Sequence, residues 1–194
     1  MKRLFLSIIA IVAIAALTCS LDAKTKAQEA YVKKVRQIYN TAVQLSKNEY
    51  TGHTHCVSNH ILPGSGPQEV KFDFYYGIEG PNDVSDNTRI EHVVFIRLSY
   101  NFAGPQFYEE YLFDDNGKFI FFFKSADSYD ELNTKEEFRF YYKPDGSLVY
   151  ANQKTVTNGK TVRDVDLKGG GQLADEAPAN AKKYVDALKG LFLL

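Results

Sequence analysis

The chain is poor in tryptophan, methionine and cysteine, and each scarcity excludes something. It holds no Trp, one Met and two Cys. Loss of the N-terminal segment that contains Cys19 would leave Cys56 as the one thiol, so no disulfide framework is available. The absence of Trp argues against a module that stacks sugar rings on indole. After Leu17 no apolar run approaches the roughly 20 residues that cross a bilayer, which excludes a polytopic membrane protein.

An excess of basic residues is also missing. Lys and Arg number 23 against 24 Asp and Glu, which gives a net charge of −1. Removal of residues 1–27, which hold four basic and one acidic residue, makes the net charge −4. Such a chain does not neutralise phosphates, so a nucleic-acid partner is excluded. Established motifs of hydrolases, zinc proteases, phosphate loops and dinucleotide sites do not occur, and no catalytic residue is predicted.

The N-terminus has the pattern of a secretory signal peptide. Lys2 and Arg3 precede an apolar stretch over residues 4–17, after which the chain becomes polar. This predicts a signal peptide at residues 1–27 and a single domain at residues 28–194. The mature protein is expected in the periplasm or outside the cell, with no transmembrane segment.

The end of the signal has three interpretations. Cleavage after Ala27 places Thr25 and Ala27 at the small-residue positions, whereas cleavage after Ala23 fits the pattern less well. Alternatively, Cys19 carries a lipid anchor at the outer membrane, although the residues before it match the lipidation pattern poorly.

Residues 28–47 predict an amphipathic helix, because apolar side chains recur there every three or four residues: Tyr31, Val35, Ile38, Ala42 and Leu45. Near the C-terminus, residues 168–178 form a glycine-rich linker. A second helix is expected to follow it, with Pro178 in the first turn.

Between the helices the apolar pattern alternates, which is typical of strands. Three turn sequences favour tight hairpins: Asp115-Asn116-Gly117, Pro144-Asp145-Gly146 and Asn158-Gly159. Consecutive hairpins form an antiparallel meander. The predicted fold class is therefore α+β: an N-terminal helix packed on a curved antiparallel β-meander of about seven to eight strands, plus a C-terminal helix. This layout is similar to cystatin-like or NTF2-like folds, with a small β-barrel or sandwich as the alternative, and one sheet face is expected to be at least partly open.

Aromatic side chains occur at both parities of the predicted strands, for example in 119–123 and 138–142. One interpretation is a ligand-binding surface on the sheet face less suited to a helix, built from Tyr75, Phe122 and Tyr141 with Arg139 as a polar anchor. The other is that these side chains are core. The interpretation as a ligand-binding surface predicts a non-enzymatic binding protein for an unknown small molecule or protein.

Histidines cluster at residues 53–60, together with the remaining cysteine. On a strand His53 and His55 share one face, and His92 from another strand would complete three zinc ligands with an open position. The alternative is that these are edge or core side chains, with no cofactor. A metal-dependent hydrolase, or another periplasmic enzyme with a pocket, is the alternative function that follows from this cluster.

Adjacent carboxylates point to opposite faces of a strand, so none of three such pairs forms a catalytic dyad by itself. The aspartates are expected in a turn and the glutamates on a wet face or edge: Glu109-Glu110, Asp114-Asp115 and Glu136-Glu137.

The signal pattern, the Gln28 start and the Tyr/Phe-rich hairpins resemble small exported β-rich proteins of Bacteroidales-type bacteria. The resemblance implies a periplasmic or outer-surface setting and implies no activity. A third function, a protein-interaction or inhibitor module, would use an exposed sheet edge or the apolar tail at Leu191–Leu194.

Overall fold

A computed structural model describes residues 24–47, 51–62, 66–79, 89–102 and 104–191. Most of the predicted signal peptide, Cys19 included, and the last three residues of the apolar tail lie outside this part. The elements follow one another as helix, eight strands and helix: α1 Lys26–Leu45, β1 Gly52–Leu62, β2 Gly66–Glu79, β3 Arg89–Asn101, β4 Gln106–Phe113, β5 Phe119–Asp127, β6 Thr134–Tyr142, β7 Leu148–Thr157, β8 Lys160–Asp166 and α2 Gly171–Leu191.

The strands form one open antiparallel sheet in sequence order, with β1 and β8 at its edges. This confirms the predicted α+β meander, and the chain does not adopt the alternative barrel or sandwich. Local turn chemistry explains why consecutive strands are neighbours in the sheet, because the predicted turns adopt the backbone conformation that tight hairpins require. Asn158 has φ 51° and Gly159 has φ 76°, as a tight hairpin between β7 and β8 requires.

A helix packs against each face of the sheet, so both faces are covered at least in part, while the side chains of the edge strand β1 that face the α1 side stay exposed. The two helices contribute small or branched buried side chains: Val32, Val35 and Ala42 from α1 against one face, and Ala174, Ala177, Ala181 and Leu188 from α2 against the other. Aromatic residues at both parities follow from this double coverage. In the described part of the chain, no helix is long and apolar enough to cross a membrane.

The start of α1 is anchored by a capping box. The Thr25 hydroxyl accepts from the Gln28 backbone N–H at 3.2 Å, and the Gln28 side chain accepts from the Thr25 backbone N–H at 2.9 Å. Gln28 Nε2 also donates to the Val149 carbonyl on β7, and Lys24 Nζ lies 3.6 Å from the centre of the Tyr150 ring. The helix therefore begins at Lys26, two residues before the predicted start.

The second helix begins at Gly171, within the predicted linker, and Pro178 lies in its interior instead of its first turn. A proline there leaves the carbonyl four residues earlier without its helical N–H donor. That carbonyl belongs to Ala174, and it accepts from the Tyr142 hydroxyl at 2.8 Å. A side chain from β6 thus replaces the missing hydrogen bond and allows the helix to continue through the proline.

Candidate functional site

A cleft of about 240 Å³ lies between α1 and the sheet face that it covers. The residues that line it come from one helix and three adjacent strands: Val35, Arg36 and Tyr39 from α1, Glu110 from β4, Phe121 and Phe123 from β5, and Arg139 and Tyr141 from β6. We call this the α1 cleft.

Strand register explains why these side chains meet. Glu110, Phe123 and Arg139 are successive cross-strand partners on β4, β5 and β6. Phe121 and Tyr141 pair in the neighbouring row of the same face. Because paired residues point to the same side of a sheet, the cleft has one purely aromatic row beside one that mixes aromatic and charged groups.

Glu110 is buried, which corrects the expectation that it lies on a wet face or edge. Its carboxylate accepts from the Tyr39 hydroxyl at 2.8 Å and from the Tyr108 hydroxyl at 2.6 Å. Arg97 Nε lies 3.6 Å away. Burial raises the pKa of Tyr39 and Tyr108, and the charge of Glu110 raises it further, so both hydroxyls remain donors. The negative charge of Glu110 is thus already compensated within the protein.

Arg139 retains hydrogen-bonding capacity. Its Nη2 donates to Glu137 Oε2 at 2.6 Å, and its guanidinium carbon lies 4.9 Å from the centre of the Phe123 ring. Its Nη1 is buried and has no hydrogen-bond partner among the described residues. A buried donor without a partner is costly, which makes an acceptor from a ligand favourable here. Arg36, exposed on α1, adds a second cation to the lining.

The four predicted ligand-binding residues do not form one surface. Arg139 and Tyr141 line the α1 cleft. Tyr75 lies buried on the same sheet face but outside the cleft lining, with the His53 ring stacked on it at 4.6 Å. Phe122 is buried on the opposite face, where it packs with Tyr111 and other side chains beneath α2.

The histidines are divided between two places. His53 and His55 share a face of β1, as predicted, and their Nε2 and Nδ1 atoms each lie 2.9 Å from Asp73 Oδ1 on β2. His92 instead lines a separate cleft of about 280 Å³ near Asp114. Within the described ranges no group of three or more His, Cys, Asp or Glu side chains is arranged to hold a metal ion.

The Asp73 contacts predict a pH-dependent contribution to stability. Partial burial raises the pKa of Asp73. Hydrogen bonds from His53 and His55 lower it by more than burial raises it, so the pKa of Asp73 lies below its ordinary value. A lowered folded-state pKa adds stability above the unfolded pKa, and that stability is lost as the pH falls through the folded pKa. Asp73→Asn is therefore expected to lower the urea midpoint at neutral pH and to lower it less below about pH 4. Asp130→Asn, at an exposed aspartate, serves as control. A loss of stability in Asp73→Asn that does not change with pH would contradict the role given to the Asp73 carboxylate.

Sequence reasoning missed most of the cleft. Helix periodicity identified Val35 as a core position and placed Tyr39 at the margin of the same apolar stripe. Nothing local linked Tyr39 to Glu110, which lies 71 positions away in the chain. No protein-family model, curated protein or solved structure matches this chain.

Proposed function

We propose that this is an exported binding protein that holds a small planar anion, such as an aromatic carboxylate, in the α1 cleft. The observation that carries the proposal is the buried Arg139 Nη1, a donor without a partner in the described part of the chain, beside an aromatic wall. The signal-peptide pattern at the N-terminus supports export.

The charges of the cleft favour an anion. Glu110 is compensated by two hydroxyl donors and Arg97, and Glu137 occupies only one nitrogen of Arg139. Arginine binds carboxylates through its planar array of donors, so a ligand carboxylate fits the remaining Nη1. The exposed Arg36 on α1 adds electrostatic attraction for an anionic ligand.

The size and walls of the cleft favour a single ring. Its volume of about 240 Å³ lies below the roughly 300–1,000 Å³ of pockets for drug-sized ligands. Tyr39, Phe121 and Tyr141 supply apolar ring surfaces. Tyr39 itself is held in edge-to-face contact with Phe121 at 5.9 Å, so this part of the wall is formed before a ligand arrives.

Removal of the guanidinium should weaken binding of an aromatic carboxylate. We expect benzoate to bind the purified protein, and Arg139→Gln to weaken it at least about tenfold, because one charge-assisted hydrogen bond contributes roughly 1.5–3 kcal/mol. Calorimetric or ligand-detected NMR titration measures the affinity. Arg163→Gln, at an exposed arginine of β8, is the matched control and should leave binding unchanged.

A neutral ligand of the same shape separates charge from ring packing. Benzamide should bind at least about tenfold more weakly than benzoate to the original protein, and Arg139→Gln should reduce that preference. Equal affinity for the two compounds, or benzoate binding insensitive to Arg139→Gln, would overturn the assignment of an anion site.

A further inference from the structure

The outer side of β1 offers backbone hydrogen-bonding groups along a long strand. β1 spans 11 residues and pairs in unbroken register with β2. It lies at one edge of the sheet, and its other side has no strand partner in the described part of the chain. The backbone N–H and C=O groups on that side are a template for another strand.

The two edges of the sheet differ in the features that normally prevent such pairing. Strand β8 carries charges of both signs, at Lys160, Arg163, Asp164 and Asp166. Strand β1 contains no Lys, Arg, Asp, Glu or Pro. Edges that remain free in solution are usually protected by charged side chains or proline, so β8 is protected and β1 is not.

The side chains of β1 that face the α1 side are suited to contact with a further strand. Val57, at the middle of the strand, is 46% exposed, and Ile61 is 85% exposed. Both lie on the same face of β1 as His53 and His55, because these four residues occupy odd-numbered positions of one strand. Apolar groups at an edge without charges gain from burial against a strand that also lacks charges.

We propose that β1 pairs antiparallel with β1 of a second copy of this chain, which joins two eight-stranded sheets into one. Full-length pairing about a twofold axis places the axis at Val57, the midpoint of Gly52–Leu62. Val57 then faces the partner's Val57, and His53 faces the partner's Ile61. The strand is self-complementary in this register, since no formally charged side chain meets another and exposed apolar groups meet at the centre.

Charge at the centre of the strand tests the pairing. Light scattering across a concentration series should give the mass of a dimer for the original protein, and the mass of a monomer for Val57→Lys and for Ile61→Lys. Val162→Lys, at a 64% exposed valine of the opposite edge strand, is the matched control and should remain a dimer. Circular dichroism checks the fold of each variant, and Ile61 is so exposed that its replacement should not disturb folding.

The register is tested separately by cross-linking. In the proposed pairing Cys56 faces the partner's Ser58, so Ser58→Cys should give a disulfide-linked dimer under mild oxidation. Thr54→Cys, equally far from Cys56 on the same face, should not. A monomeric original protein at high micromolar concentration, or dimers that persist in both lysine variants of β1, would overturn the proposal. A dimer in which Ser58→Cys forms no disulfide with Cys56 of the other copy would overturn the register.

Discussion

Replacement of Glu109 by alanine should lower the free energy of unfolding by about 3–5 kcal/mol, because it leaves the largely buried ammonium of Lys124 without its carboxylate partner. Glu109 is 6% exposed, on the face opposite Glu110. Its carboxylate accepts from the hydroxyls of Tyr100 and Tyr111 at 2.9 and 2.6 Å and from Lys124 Nζ at 3.0 Å. Urea unfolding measures the loss.

The same network predicts a rescue. In Glu109→Leu combined with Lys124→Met both charges are removed, so part of the lost stability should return, since a buried ion pair adds little over apolar residues of similar volume. The recovery should be incomplete, because the Tyr111 hydroxyl still loses the Glu109 acceptor. Glu91→Ala, at an exposed glutamate of β3, is the control and should change stability by less than about 0.5 kcal/mol. A loss in Glu109→Ala no larger than in Glu91→Ala would contradict the role of the buried carboxylate.

Tyr142→Phe should lower the free energy of unfolding by about 1–3 kcal/mol, because it leaves the buried carbonyl of Ala174 without a donor. Burial, with a contribution from Asp175, raises the pKa of Tyr142, so its hydroxyl stays protonated as a donor. Tyr129→Phe, at an exposed tyrosine, is the control. Urea unfolding again provides the measurement.

A double-mutant cycle identifies the cause of that loss. Pro178→Ala restores a backbone N–H that can donate to the Ala174 carbonyl in the normal helical pattern. The cost of Tyr142→Phe should therefore be smaller in the Pro178→Ala background than in the original chain, and the difference is the coupling energy. Equal costs in the two backgrounds would mean that the hydroxyl does not compensate for the proline.

The parts of the fold that depend on neighbouring residues in the chain were predictable. Turn sequences such as Asn158-Gly159 determine which strands are adjacent, and the periodicity of 28–47 identifies the helix. The start of α2 was not predictable, because the local penalty of Pro178 is relieved by Tyr142, 36 positions away. A residue pair such as Tyr142 and Pro178 carries no local signal in a single sequence.

The candidate site shows the same division. Parity correctly predicted that Glu109 and Glu110 point apart. Their burial depends on partners from other elements, such as Tyr39 of α1 for Glu110 and Lys124 of β5 for Glu109. Alternation along one strand does not reveal which face receives α1. The sequence pattern alone therefore groups Phe122 with Tyr141, whereas the cross-strand register pairs Phe122 with Phe140 on the other face. The cleft exists only where a helix, three strands and their register coincide.

The capping box of α1 constrains how an exported chain can be matured. A cut after Ala27 would remove Thr25 and the first two helical residues, together with the contact between Lys24 and Tyr150. It would also place a new ammonium group at the positive end of the helix dipole. A cut after Ala23 leaves all of these groups in the domain. If the N-terminal segment is removed as a signal peptide, a cut between Ala23 and Lys24 would preserve the folded N-terminus, whereas the pattern of small residues favours the later cut.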